Sequence, residues 1–246
     1  MGAIMVSSKN MTYLTGKERT GYVQRMFGRI ASHYDLMNRL MTFGQDVRWR
    51  KEAIRRLEIP AGALVLDAGA GTGDISLQIR RSRKDVRVIA SDLTPAMMLA
   101  GKKRPGAGDI LWVAADAQHL PFARGTFEGV ISGYLLRNVG DLDRTLAEQS
   151  RVLKPGSRWV ALDTTPPQHN ILQPFVRFHL QVVIPLLGRL VTGDAEAYRY
   201  LPDSTEGFLE AGCLAERIRA AGISGVGYVH RMLGTMAVHW GKKGKE

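Results

Sequence analysis

Residues 65–73 read Val-Leu-Asp-Ala-Gly-Ala-Gly-Thr-Gly, an apolar run that passes through Asp67 and breaks into three glycines, each separated by one residue. The run predicts a buried strand, and the glycines predict a tight turn with no Cβ to keep a ligand off the backbone. The helix expected next would aim its free N–H groups at the same point. The spacing discriminates between cofactors. A dinucleotide turn is usually G-x-G-x-x-G, whereas Gly69, Gly71 and Gly73 alternate. Working outward, Asp92 ends the next apolar run, 86–91, where a carboxylate can accept both hydroxyls of a ribose. A third run, 110–115, ends in Asp116-Ala117, placed to take the amino group and ring edge of an adenine.

Taken together, the alternating glycines and the two strand-end acids resemble the cofactor turn of S-adenosylmethionine (SAM) methyltransferases. A nicotinamide enzyme and a catalytically inactive relative are the competing readings. Asp92 alone would be an ordinary strand-end turn residue; its place after a glycine turn gives it the ribose role.

The 246 residues suffice for one α/β domain with a full core and modest additions. A hydrophobic content of 45% and a charged content of 23% are ordinary for a globular chain. Cys213 is the single cysteine, so no internal disulfide can form; with no signal-like start, the expectation is a reducing cytosol. The bulk anomaly is charge: +11 net, with a sequence pI near 10.0. Residues 1–60 hold eleven Lys and Arg against five acids. That excess reads either as a solvated helical surface or as a patch facing an anionic membrane.

Residues 1–20 are polar and aperiodic and read as a flexible arm, with 21–246 as a single domain. Val23, Met26, Phe27 and Ile30, then Tyr34, Met37 and Leu40, recur at helical spacing. With a third helix over 47–57, they predict a helical cover spanning 21–60. From 64 to about 165, strands (64–67, 86–91, 110–115, 127–132, 158–164) alternate with helices, the fourth of them at 141–153 and closed by Lys154-Pro-Gly. This predicts an α/β fold, a Rossmann-like parallel sheet with helices on both faces. A helix over 207–221 and strands at 224–232 and 235–240 would complete seven strands. Residues 171–191 are the most apolar stretch, but Arg177, His179, Arg189 and two prolines argue against a membrane span. They read as part of a lid insertion, 171–204, over an apolar substrate; the competing reading is a core helix pair.

From about residue 23 to 243 the chain resembles the ubiquinone/menaquinone biosynthesis C-methyltransferases, the UbiE/MenG type of class I SAM methyltransferase. The residues carrying the likeness are Phe27-Gly-Arg-Ile-Ala31, Tyr34-Asp-Leu-Met-Asn38, Leu66 to Asp74, Asp116 to Phe122, Leu136-Arg-Asn-Val139, Arg151 to Gly156, Tyr198 to Ser204 and Ala237 to Lys243. The resemblance implies SAM as cofactor. Gly69, Gly71 and Thr72 would lie on its methionine side, Asp92 on the ribose, and Asp116 with Ala117 on the adenine; Asp67, Gly73 and Gly133 complete the expected set. It also implies C-methylation of a prenylated quinol, either demethylmenaquinol or the ubiquinol precursor. The expected partners are that quinol and an anionic membrane surface, with the protein cytoplasmic and peripheral at the inner face. No nucleic acid is expected, and self-association as a homo-oligomer is left open. Departures from the family pattern fall near the acceptor: Gly133-Tyr-Leu135 replaces Ser-Phe-Gly, and Asp163-Thr-Thr165 replaces Glu-Phe-Ser. Another small hydrophobic acceptor, or RNA, therefore stands as the alternative.

No metal-ligand spacing is readable. The ring carbon must be electron-rich, as in a quinol and not a quinone. Arg137 and Asn138, at the expected end of the fourth strand, are the candidate catalytic residues, with Arg137 stabilising a developing phenolate. Tyr34 and His33 on the helical cover are weaker candidates.

Overall fold

The structure, a computed structural model, describes residues 16–167, 171 and 173–245. Strands β1 (Leu64–Ala68), β2 (Arg87–Asp92), β3 (Ile110–Ala114), β4 (Phe127–Gly133), β5 (Leu153–Thr164), β6 (Ile223–Arg231) and β7 (Met236–Lys243) form one sheet in the order β3-β2-β1-β4-β5-β7-β6. Strands β1 to β5 pair in parallel, as expected, with Val65 and Leu66 fully buried. The last strand departs from the parallel expectation. A short turn at Met232–Gly234 joins β6 to β7, and a turn that short can only return the chain antiparallel. Strand β1 is flanked by β2 and β4, so the chain changes direction of travel at its carboxyl end. That crevice is where open α/β sheets bind ligands.

Helices α4 (Asp74–Ser82), α5 (Pro95–Lys102), α6 (Leu142–Val152) and α10 (Ala211–Ala220) cover the sheet. Strand β5 starts earlier than the expected 158: Leu153 pairs with Phe127 and Arg158 with Gly129, leaving 154–157 bulged between them with Gly156 at φ +74°. Lys154-Pro-Gly is therefore a bulge inside a strand rather than the punctuation after a helix.

The cover is three helices, α1 (Gly16–Ile30), α2 (Tyr34–Met41) and α3 (Asp46–Arg56), close to the periodicity in the sequence. The arm expected over 1–20 is shortened, because 16–20 already belong to α1; residues 1–15 lie outside those described. The apolar stretch forms α7 (Gln173–Phe178), a π turn at His179–Val183 and α8 (Ile184–Thr192) in one run. Pro174 sits in the first turn and Pro185 just after the π turn. There the widened coil accommodates a missing N–H, so the prolines do not interrupt the helix as expected. This run is long and apolar enough to cross a membrane by length and composition, with a mean hydropathy of 1.3. One face of it, Val176, Leu180 and Ile184, packs on Met26, Phe27, Met37 and Met41 of the cover. A further helix, α9 (Ala195–Glu206), carries Pro202 inside it and has a mixed polar sequence, which hid it from periodicity.

Gly73 and Gly101 explain how α4 and α5 approach the sheet. A Cβ on Gly73 would lie 2.6 Å from the Trp112 ring, and one on Gly101 would lie 2.4 Å from that ring and 2.8 Å from the Thr72 carbonyl oxygen. Gly101→Ala gains about 1 kcal/mol of helix propensity, but overpacking costs about 1–3 kcal/mol and backbone cannot yield as a side chain can. The expected outcome is a lower melting temperature, by about 2–4 °C per kcal/mol of net loss. A thermal melt at or above that of the parent protein would contradict the packing role.

Candidate active site

The main cavity lies at the carboxyl ends of β1, β2 and β4 under α1 and α2, lined by Gly69, Gly71, Asp92, Asp116, Ala117, Gly133, Tyr34 and Asn138, among others. The sequence motifs therefore converge on one hollow. Gly69 and Gly71 take φ +68° and +58°, the left-handed region where glycine alone is unstrained. A Cβ on Gly69 would strike Leu135, and one on Gly71 would stand 3.2 Å from Met97, so both glycines keep the hollow open.

Asp92 accepts the backbone N–H of Gly71 on one carboxylate oxygen and that of Thr94 on the other, each at 2.7 Å. Burial pushes this carboxyl up, opposed by those two N–H groups. It therefore holds the glycine turn and the start of α5 together as well as facing the ligand. Asp116 accepts the Gln118 N–H at 2.9 Å and the Gln118 amide at 3.2 Å. Gln24 of α1 closes over the rim and donates to the Leu93 carbonyl at 2.8 Å.

Asp67, also expected at the cofactor, lies behind the turn. It is buried and accepts the Ser76 N–H at 3.0 Å and hydroxyl at 2.6 Å on Oδ2, while Oδ1 has no partner. Burial pushes its carboxyl up to about 7. A small hollow holds Asp67, Thr72 and Arg50 and shares Gly69, Gly71, Gly133, Tyr34 and Tyr134 with the main one. Thr72 donates its hydroxyl to Asp35 at 2.6 Å, so it fastens the cover to the turn. Gly73 lines neither hollow; its role is the close packing on Trp112, which corrects its assignment to the cofactor.

Arg137 also lies outside the main cavity. It is buried, donates to Asp163 at 2.6 Å and faces a second, adjoining hollow lined by Met41, Leu180, Ile184, Leu201, Met232 and Met236. Burial opposes its charge, and Asp163 more than restores it, so the guanidinium stays above its ordinary range. Four polar atoms of residues lining this apolar hollow lack partners: Arg137 Nε, Asn38 Nδ2, Thr164 Oγ1 and the Tyr134 hydroxyl. Asn138 lines the main cavity and not the second hollow, donating to the Tyr134 carbonyl at 2.7 Å and accepting from the Tyr200 hydroxyl at 3.0 Å. Burial holds the Tyr134 phenol up at about 12 and raises that of Tyr34, so both are neutral donors at physiological pH and not bases. His33 is exposed beside Ser32, away from both hollows, which removes it as a candidate. Asp163 and Asn38 were missed as site residues. An acid ending β5 beside the strand-four arginine was the available signal for the first, and the helical step from Tyr34 for the second.

Among known proteins, the ubiE/COQ5 methyltransferase family matches residues 14–243. The chain is 49% identical to the ubiquinone/menaquinone biosynthesis C-methyltransferase UbiE of Desulfotalea psychrophila, over 90% of each chain. It is 38% identical to the demethylmenaquinone methyltransferase of Thermus thermophilus, over 89% of this chain and all of that one. A solved structure of a SAM-dependent methyltransferase from Thermotoga maritima, described as a possible histamine N-methyltransferase, superposes with a TM-score of 0.64. It covers 90% of this chain and 99% of that one at 17% identity, a likeness of fold alone. The chain belongs to the ubiE/COQ5 methyltransferase family and is a SAM-dependent enzyme.

The hollows fit that cofactor. Asp67, whose Oδ1 has no partner, lines the small hollow and suits the ammonium of an amino-acid end, while Arg50 beside it is already paired with Asp46 and Asp74. Asp92 and Asp116 line the larger one, suited to a nucleoside.

Two predictions follow from these carboxylates. Asp92→Ala should weaken SAM binding by at least about tenfold, since it removes a charge-assisted acceptor and frees the Gly71 and Thr94 N–H groups. Calorimetry showing unchanged affinity would refute the assignment. Asp67 is about half protonated near pH 7, and a cation beside Oδ1 favours its ionised form. SAM binding should therefore expel a proton, and affinity should rise with pH up to about 7, by at most about tenfold per unit, then level. The Asp67→Asn variant should show a flat profile across that range.

Proposed function

We propose that this member of the ubiE/COQ5 methyltransferase family methylates a ring carbon of a prenylated quinol in isoprenoid quinone biosynthesis, demethylmenaquinol or the ubiquinol precursor. The observation that carries this reading is the second hollow: apolar walls beside the cofactor cavity, with four lining residues, Asn38, Tyr134, Arg137 and Thr164, that each keep an unpartnered polar atom. Unpaired buried polar groups are costly, at about 1–3 kcal/mol each, so a ligand with ring oxygens and an apolar tail suits the hollow and a wholly apolar one does not.

When bound, SAM supplies an electrophilic methyl group for in-line displacement. The chain's own residues do the rest. Tyr134, which lines both hollows, sets the ring against the cofactor cavity, which is the positioning part of the rate. Arg137, always charged and fixed by Asp163, stabilises the negative charge that builds on a ring hydroxyl as its proton leaves. Arginine cannot take that proton and the two phenols are already protonated, so it passes to water at the guanidinium; the hydrogen of the methylated ring carbon then moves to that oxygen and restores the aromatic quinol. An oxidised ring has no such hydroxyl and too little electron density, which makes the reduced acceptor the substrate. The relatives' names include both a ubiquinone/menaquinone enzyme and demethylmenaquinone enzymes, which supports this acceptor class. A prenylated quinol resides in lipid, so we place the protein at the inner face of a membrane, reached from the cytoplasm.

Arg137→Lys keeps the charge but loses the planar fork that meets Asp163 and the acceptor together. Turnover of a reduced, short-tailed acceptor should fall by about 10²-fold, with SAM affinity changed less than about twofold. A variant that folds normally and keeps its full rate would reduce Arg137 to a structural pair.

A further inference from the structure

We propose that the outer face of α7, the π turn and α8, together with the outer edge of α2, is the surface by which the protein docks on an anionic lipid bilayer. The inner face of these helices is accounted for, since Val176, Leu180 and Ile184 pack on the cover and Leu180 and Ile184 line the second hollow. The outer face is not. Phe175, Phe178, Val182, Leu186 and Leu190 recur every three or four residues on the opposite side and are 47–74% exposed. Beside them, α2 and the turn after it expose Leu36, Leu40 and Phe43 at the same spacing, with Phe43 74% exposed and its ring 5.6 Å from that of His179. His179 is in turn tied to the Met41 carbonyl at 2.9 Å, so the two stripes are held side by side. Scattered surface leucines need no explanation, but eight large apolar side chains on two neighbouring helices form a patch that water disfavours.

Charge selects the occupant. Residues 164–193 contain no Asp or Glu, and the exposed charges of the stripe are Arg177 and Arg189. Phe43 turns the chain into α3, where Arg48, Lys51 and Arg55 stand exposed on one helix face, lining a groove with Arg81. The groove's one acid, Asp74, is taken by arginines. An apolar stripe edged by arginines, with further unpaired cations close by, complements acyl chains under anionic headgroups; it does not complement a second copy of the same cationic face. The same helices wall the second hollow on one side and meet lipid on the other, so an acceptor's tail need cross only one helix layer, about 10 Å. That last step rests on the acceptor proposed above; the docking face does not.

The test uses the full chain with vesicles of phosphatidylcholine, with and without phosphatidylglycerol. The parent protein should partition to the anionic vesicles, less so as salt rises. Phe175→Ser with Phe178→Ser should lower that partition by about tenfold or more, since two aromatic side chains no longer leave water. These residues line neither hollow, so SAM binding, melting temperature and turnover of a short-tailed soluble acceptor should match the parent. Turnover of a long-tailed acceptor embedded in the vesicles should fall with the partition. Arg48→Gln, Lys51→Gln and Arg55→Gln together should weaken partition at low salt and converge with the parent at high salt. Unchanged partition in the double serine variant would overturn the proposal. So would a parent protein that is dimeric through this face, ignores vesicles and becomes monomeric in the variant. A parent that partitions as described yet never methylates a short-tailed quinol would count against the acceptor and leave the docking face standing.

Discussion

The arrangement depends on a cluster of buried charge behind the glycine turn. Asp74, the first residue of α4, meets Arg39 of α2 at 3.3 Å, Arg50 of α3 at 3.0 Å and Arg104, just beyond α5, at 2.6 Å. Asp46 pairs with Arg39 and Arg50, and Asp35 meets Arg104 at 2.9 Å while accepting the Thr72 hydroxyl. Three arginines and three aspartates thus close on one another. Burial acts to raise Asp74, but the guanidinium groups around it outweigh that and hold it below its ordinary range. Asp46, Arg50 and Asp74 are buried, and desolvating them costs several kcal/mol per ion, which is offset only when their partners are in register. Few placements of the cover satisfy that condition. The network therefore sets where Tyr34 and Asn38 stand relative to Gly69 and Gly71, which propensity or apolar contact alone would leave loose.

A second constraint acts at the end of β4. Tyr134 takes φ +59°, a left-handed conformation that costs a non-glycine residue about 1–3 kcal/mol. Its carbonyl accepts from Asn138, its N–H donates to Leu162 at 2.7 Å, and the next residue, Leu135, packs where a Cβ on Gly69 would be. The Arg50 and Arg137 guanidinium groups lie 5.4 and 5.3 Å from its ring centre. The strained turn thus puts one aromatic wall between the cofactor side and the acceptor side. Asp163 accepts the N–H groups of Leu136 and Thr164 as well as the Arg137 guanidinium, so the backbone and the buried charge share an anchor.

The core strands and the cofactor turn were legible because they depend on local chemistry: apolar runs of strand length, glycines where φ is positive, and acids at strand ends. Asp92, Asp116 and both glycines of the turn fell into one hollow on that basis. Gly73 was misread because its neighbour across the fold, Trp112, is thirty-nine residues away and nothing local announces it. Helix α9 and the early start of β5 escaped for a related reason. A proline inside a helix and a Pro-Gly inside a strand are breakers by propensity, and tertiary packing overrides them. Arg137 was placed at the right strand end, but the division into two hollows was not legible, since it depends on Tyr134 and its strained backbone.

The same limit governs charge. The eleven cations of residues 1–60 read as a solvated surface or a basic patch, yet those the structure describes divide by what lies opposite them. Arg39 and Arg50 are consumed by the aspartate cluster, Arg29 meets Asp194 at 2.8 Å, and Arg19 donates to the Arg137 carbonyl. Arg48, Lys51 and Arg55 are left on one side of α3. A buried, neutralised arginine contributes little to the field outside the protein, whereas three exposed cations on adjacent helical turns reinforce one another within a Debye length of about 10 Å. The surface field is accordingly narrower and more directional than the composition implies. Since the turn through Phe43 leads straight into α3, the exposed cations and the exposed apolar side chains begin at the same corner of the fold.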